Sequence, residues 1–139
     1  MCEPMQYEEK SLQIDPYFLG LWLGDGTSHR IGISTIDKEI SDYVYKIANN
    51  YECNVSINHS KNQSCPTYFI TKGNVGNHDL NKLLQSFKSL NLFNNKHIPE
   101  EYFYGSEYQR MELLRGLLDS DGHCGDKGQI DFSTTLDSL

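Results

Sequence analysis

Two aspartates, Asp25 and Asp121, each stand directly before a glycine at the end of an apolar segment. If the fold brings them together, two such carboxylates repel by roughly 3 kcal/mol at about 5 Å and an effective dielectric near 20. A divalent cation relieves that repulsion, because Mg²⁺ and similar ions bind hard oxygen ligands while keeping water or phosphate oxygens. The pair therefore predicts a site for Mg²⁺ or Mn²⁺.

The segments that carry these aspartates are copies of each other. The sequence FLGLWLGDG at 18–26 returns as LRGLLDSDG at 114–122, with Gly, Leu, Asp and Gly identical at the third, fourth, eighth and ninth places. The strand-like sequence at 31–35 is echoed at 130–134. A helix followed by a strand therefore recurs, which is the signature of an internal repeat. Asp119 matches Leu23 in this comparison, so no symmetric chemical role is expected for it.

Small residues recur every four positions in both copies and predict how the two helices meet. Gly20 and Gly24 share one face of the first helix, as Gly116 and Ser120 do on the second. Two faces with so little bulk can approach closely, and the paired helix ends would then hold the two aspartates side by side. The simpler alternative is that each Asp-Gly merely ends a helix and turns the chain. A calcium loop starting at Asp119 fails, because its twelfth position lacks a glutamate.

The remaining pattern predicts an α+β domain. Asp15 and a following proline begin the first helix, Asp37 begins an amphipathic second helix, and the capping-box sequence at Ser106 begins the last one. Apolar residues at helical spacing over 80–90 indicate a further helix. Strands are predicted at 30–35, 55–58 and 67–71, and the order is read as helix, strands, helix, strands, helix.

Composition narrows the class of protein. Apolar residues make up 37% of the 139 residues, which excludes wholesale disorder. The net charge of −7 argues against a simple electrostatic clamp on nucleic acid. No apolar run is long enough to cross a membrane, and the N-terminus is acidic where a signal peptide would be basic. An intracellular protein is expected, nuclear or cytoplasmic, without a membrane partner.

The two nonapeptides resemble the paired signature of the LAGLIDADG homing endonucleases, especially the members carried by inteins. The resemblance spans most of the chain and implies αββαββα units, paired through the motif helices, that lay sheets over DNA. It divides the sequence into an N-terminal extension at 1–14, a first unit at 15–112, and a second motif helix with the start of a truncated second unit at 113–139.

This resemblance implies a site-specific endonuclease that hydrolyses double-stranded DNA with Mg²⁺ or Mn²⁺, as part of an intein and monomeric at full length. A flanking intein splicing domain and a host protein would be its other partners. Asp25 and Asp121 would be the catalytic metal ligands, with the carbonyls of Gly24 and Ser120 beside them. Lys96, in a Lys-His-Ile-Pro sequence, would be the catalytic lysine near the metals, where it would polarise the surroundings of the attacking water or stabilise the phosphorane. Its alternative is a solvated lysine at a helix end.

Polar and basic residues around the predicted strands are the candidate DNA contacts, because alternating side chains on a strand reach base edges and cations reach phosphates. Any half-buried sheet also has a polar outer face, which is the alternative reading. A catalytically inactive, nucleic-acid-binding or maturase-like remnant and an inert insertion are the rival functions. The candidate contacts are Ser28, His29, Arg30, Ser34, Thr35, Lys61 and Lys72.

Overall fold

A computed structural model describes residues 6–59, 61, 65–72, 81–124 and 130–132, with side chains up to residue 120. The chain is mixed α+β, as predicted. Most predicted elements lie within a few residues of their expected positions. A short helix, Glu100–Phe103, and a short strand, Gly122–Cys124, were not predicted. In chain order the elements are α1 Pro16–Asp25, β1 Gly32–Ser34, α2 Lys38–Asn50, β2 Asn54–Asn58, β3 Thr67–Thr71, α3 Lys82–Ser89, α4 Glu100–Phe103, α5 Glu107–Asp121, β4 Gly122–Cys124 and β5 Ile130–Phe132.

The chain forms two compact units. One consists of Met1–Gly24 and Lys96–Leu139 and is called the helical unit here; the other, Asp25–Asn95, is called the sheet unit. The boundaries predicted from the repeat, at 14 and 112, follow the sequence copies rather than these compact units, and they stay a prediction. Among the described residues, no helix is both long enough and apolar enough to span a membrane.

In the helical unit, side-chain caps fix the start of α1 and α5. Asp15 accepts a hydrogen bond from the Phe18 amide (2.9 Å), and the proline that follows it begins the helix. Ser106 and Gln109 cap each other reciprocally, at 2.9 and 3.2 Å, as the capping box predicts. Gln109 also bonds the backbone of Lys10, so the same side chain anchors the N-terminal segment.

The sheet unit is built on an antiparallel sheet with the order β1-β3-β2. Its registers place Ile33 opposite Tyr68, and Tyr68 opposite Ile57. Because directly opposed residues point to the same side, these three share an apolar face. Helix α2 covers that face, and Tyr45 meets the ring of Tyr68 edge-on at 6.2 Å. The start of α2 is fixed by Asp37, whose carboxylate accepts a hydrogen bond from the Glu39 amide.

The first half of the sheet has less strand than the resemblance implies. Between α1 and α2 the described chain has one named strand, where an αββαββα unit has two; the first is reduced to an isolated bridge between Gly26 and Ile33. The chain reverses tightly here, because the Thr27 amide donates a hydrogen bond to the Gly32 carbonyl (2.9 Å). The segment before the turn is therefore too short for a longer strand. Ser28 and His29 lie in the turn of this hairpin, before the predicted strand at 30–35. The LAGLIDADG fold itself stays a prediction.

Candidate nucleic-acid interface

The second side of the three-stranded sheet carries mostly polar side chains. Strand register and alternation assign these residues to one surface, called the polar sheet face below. None of them is acidic, and those on the edge strand β2 are exposed to solvent. The members are Gly32, Ser34, Asn54, Ser56, Asn58, Thr67, Phe69 and Thr71.

Arg30 is held over this face by a stack. Its guanidinium carbon lies 4.2 Å from the centre of the Phe69 ring. The ring in turn lies across Gly32, directly opposite in the register, where an added β-carbon would stand 2.5 Å from two ring atoms. An aromatic ring often covers a strand glycine in this way, since only glycine leaves the space. The arginine is thus positioned by packing before any ligand arrives.

The structure separates the predicted DNA contacts into different groups. Ser34 belongs to the polar sheet face and Arg30 lies over it; the Ser34 hydroxyl shares a hydrogen bond with Thr67 (2.7 Å). Thr35 is buried, and its hydroxyl accepts from the Asp37 amide, so it serves the start of α2 instead.

The two predicted lysine contacts lie away from the centre of the sheet. Lys61 is exposed between β2 and β3. Lys72 follows the end of β3, with its ammonium 3.9 Å from the Glu52 carboxylate. A lysine paired with a carboxylate offers DNA less net charge, so Lys72 is the weaker candidate of the two.

Acidic charge is distributed unevenly between the units. The sheet unit has seven Lys and Arg against six Asp and Glu, whereas the helical unit has five against thirteen. Their formal net charges are therefore +1 and −8. The chain's overall −7, which argued against nucleic-acid binding, is thus a property of the helical unit and not of the unit that carries the polar sheet face.

In the helical unit, α1 and α5 touch backbone to backbone at their glycines. A β-carbon added to Gly20 would lie 2.9 Å from the Gly116 Cα and 2.8 Å from the Leu117 nitrogen. One added to Gly116 would lie 2.9 Å from the Leu21 nitrogen and closer still to the carbonyl oxygen of Tyr17. Leu21 and its apolar neighbours on α1 are buried on both sides of this contact.

The other small residues of the repeat sit at the ends of these helices. Gly24 lies in the last turn of α1. The Ser120 hydroxyl donates to carbonyls of its own helix, those of Gly116 and Leu117, at 3.0 and 3.1 Å. Its side chain is therefore used locally, and only its carbonyl is left for the ligand role implied by the resemblance.

Lys96 lies against the end of α1. Its ammonium donates to the Leu23 carbonyl (3.3 Å) and stands 5.1 Å from the centre of the Trp22 ring. A cation here complements the negative end of the helix dipole. Lys96 is half-buried, so the alternative of an ordinary solvated lysine does not describe it.

Asp119, for which no role was expected, joins the two helices. Its carboxylate accepts a hydrogen bond of 2.6 Å from the Tyr17 hydroxyl. Burial, and then this hydrogen bond, raises the pKa of Tyr17 above its ordinary range. Helical spacing could have predicted this pair, because Asp119 lies three residues after Gly116 and therefore on the side of α5 that faces α1.

The predicted metal ligands do not make a site among the described residues. Asp25 is half-buried, and burial together with the Asp25 carboxylate raises the pKa of the Cys65 thiol. The side chain of Asp121 lies outside the described residues. Within the described part of the chain, no three His, Cys, Asp or Glu side chains are grouped to hold a metal ion. The cation therefore stays a prediction, and no step below uses one.

Comparison with known proteins gives one informative relative. The chain matches no protein-family model. It is similar to a protein named replicative DNA helicase DnaB from Mycobacterium intracellulare, with 36% identity over 131 residues. The match covers 94% of this chain and 18% of that protein, so the chain spans less than a fifth of its relative's length.

This similarity contradicts the predicted function. A homing endonuclease was inferred from two Asp-Gly motifs through a family resemblance, whereas the matched relative is named a replicative helicase. The endonuclease prediction is therefore wrong by this comparison.

Proposed function

We propose that this chain is a DNA-binding part of a larger protein that acts on DNA, and that the polar sheet face contacts double-stranded DNA. The observation that carries the proposal is the sheet itself. One face is apolar and covered by α2. The other carries serine, threonine and asparagine side chains, of which those on β2 are exposed and Thr67 is buried, with Arg30 held above them and no carboxylate among them.

The shape and chemistry of this face suit the major groove. Strands enter that groove and present alternate side chains to base edges, where hydroxyl and amide groups both donate and accept hydrogen bonds. The near-neutral sheet unit avoids the repulsion from phosphates that the acidic helical unit would produce. Affinity in this arrangement depends more on hydrogen bonds and fit than on net charge.

The comparison supports a role on DNA at this coarse level. The relative's name describes a protein that acts on DNA, and nearly the whole of this chain aligns with part of it. From the resemblance to LAGLIDADG proteins we propose only that the two motif helices pair through their glycines. The flanking intein splicing domain, the host protein and the Mg²⁺ or Mn²⁺ ion stay predictions; the coding sequence on both sides tests the first two.

Fluorescence anisotropy with labelled duplexes of random sequence tests the proposal. We expect the chain to bind duplex more tightly than single strands of the same length, with affinity falling as salt rises because counterions are released. Ser56→Asp places a negative charge on the polar sheet face and should weaken binding about tenfold. Gln85→Glu adds the same charge at an exposed position of α3 and serves as the matched control.

Two results would contradict the proposal. Equal losses in the Ser56→Asp and Gln85→Glu variants would show that binding follows overall charge and not this face. Binding to single strands alone would assign the chain to a different nucleic acid. Far-UV circular dichroism of each variant distinguishes lost binding from lost folding.

A further inference from the structure

We propose that Arg30 reads a guanine base in the major groove and that Phe69 positions it, a proposal that rests on the DNA-binding function proposed above. Sequence alone suggested a phosphate contact for Arg30, as for the two lysines. The stack on Phe69 assigns it a different task.

The first step of the argument is preorganisation. A free arginine loses much rotamer freedom when it docks into one geometry, which costs binding free energy. Here the guanidinium already lies 4.2 Å from the Phe69 ring centre, and the ring is seated where Gly32 has no side chain. A phosphate contact depends less on such positioning, because a phosphate offers several oxygens and can be reached from more than one direction. A base contact depends on it.

The second step is the shape of the group. A guanidinium is planar, with its N–H donors in one plane, and that fork matches the O6 and N7 acceptors of guanine. The Phe69 ring lies 4.2 Å from the guanidinium carbon, and this contact restricts the positions that the planar group can take. An ammonium group, such as that of Lys61, has no comparable plane.

The third step is location. By alternation from Gly32 and Ser34, Arg30 lies on the same side of the sheet as the polar residues and extends their row beyond the start of β1. All members of the polar sheet face are uncharged, so Arg30 supplies a cationic donor beside them. Its neighbours can hydrogen-bond to adjacent bases, whereas the two lysines lie off the face.

Selection from a randomised duplex library tests the assignment without knowledge of the binding site. The full wild-type chain should enrich a motif with one strongly preferred guanine, favoured about tenfold or more over other bases at that position. Arg30→Gln should change the preference at that position alone towards adenine, since glutamine pairs with the N6 and N7 groups of adenine. Phe69→Leu keeps the charge and should weaken the guanine preference while retaining most of the total binding.

Lys61→Ala provides the control, because loss of a phosphate contact weakens binding to all sequences equally and leaves the motif unchanged. If Arg30→Gln behaves like Lys61→Ala, Arg30 is a phosphate contact and this proposal is overturned. It is also overturned if the wild type binds duplex but enriches no guanine. Failure of the wild type to bind any duplex would instead remove the proposed function itself.

Discussion

The two units of this chain use glycine for opposite purposes. In the helical unit, Gly20 and Gly116 bring two backbones into contact, and the space is closed. In the sheet unit, Gly32 makes room for the Phe69 ring, which then supports an exposed arginine. The first arrangement is internal packing, and the second holds an exposed side chain in place on the surface.

Charge follows the same division. The helical unit carries a formal −8 and the sheet unit +1. Under the proposed function, DNA would contact the sheet unit, although the two motifs that dominate the sequence belong mainly to the acidic helical unit. The most recognisable residues of a chain need not lie on its binding surface, and substitutions in the two units should separate stability from binding.

The largest expected effect is on stability, at the helix contact. Gly20→Ala in a free helix would stabilise by about 1 kcal/mol, because alanine has the higher helix propensity. Here its β-carbon meets backbone atoms of α5, which cannot move aside as a side chain could. We expect the free energy of unfolding to fall by about 3 kcal/mol, measured by urea denaturation.

The sign of that change is decisive, because propensity and packing predict opposite directions. Glu39→Ala, at an exposed position of α2, is the control and should stay within about 0.5 kcal/mol of wild type. A more stable Gly20→Ala protein would mean that α1 and α5 do not touch at this residue.

Much of the fold was predictable because its signals are local. The caps at Asp15, Asp37 and Ser106 bond neighbouring amides as their spacing indicates. β3 begins and ends at the predicted residues, since a run of aromatic and β-branched residues favours a strand. The short α4 was missed because its four residues, directly after a proline, are too few for a helical period.

A second, smaller effect concerns the Tyr17–Asp119 hydrogen bond. Tyr17→Phe removes the hydroxyl that donates to a carboxylate across the two helices, and should lower the free energy of unfolding by about 2 kcal/mol. Thermal denaturation of both proteins at neutral pH measures this loss. No loss would show that the bond is offset by water in solution.

The same bond predicts a dependence on pH. The folded protein holds the pKa of Tyr17 above its ordinary value, so the stabilisation is complete below about pH 10, the usual tyrosine value. It is lost progressively as the pH rises further, because the unfolded chain releases the phenolic proton first. The wild type should therefore lose more free energy of unfolding than Tyr17→Phe as the pH rises from about 9 to about 11, measured by urea titrations at each pH.

The smallest expected effect is a gain of binding in the sheet unit. Asn58→Lys adds a cation to the exposed edge of the polar sheet face and should tighten duplex binding about fivefold, with a steeper salt dependence. Asn49→Lys adds the same charge on α2, which covers the opposite face, and is the control. Equal gains from the two variants would remove the distinction between the faces.

The candidate site was less predictable than the fold because it depends on strand register. The sequence placed Arg30 and Ser34 near the interface. It could not show that Gly32 lies opposite Phe69, because that follows only from the pairing of β1 with β3, which are distant along the chain. A glycine between two isoleucines at 31–33 was the available signal, since a lone glycine in a strand indicates a close approach. The repeat comparison gave Asp119 no role because Leu23 stands at the matching place in the first copy, whereas its hydrogen bond with Tyr17 is seen only in the structure.

The most direct test of the central claim is a two-dimensional amide NMR titration of the full chain with a short duplex. Binding through the polar sheet face predicts that the largest shift changes occur at amides of β1, β2 and β3 and at Arg30, while those of α1 and α5 change little. Shift changes concentrated on α1 and α5, with the sheet amides unmoved, would contradict the assignment of DNA binding to the sheet unit.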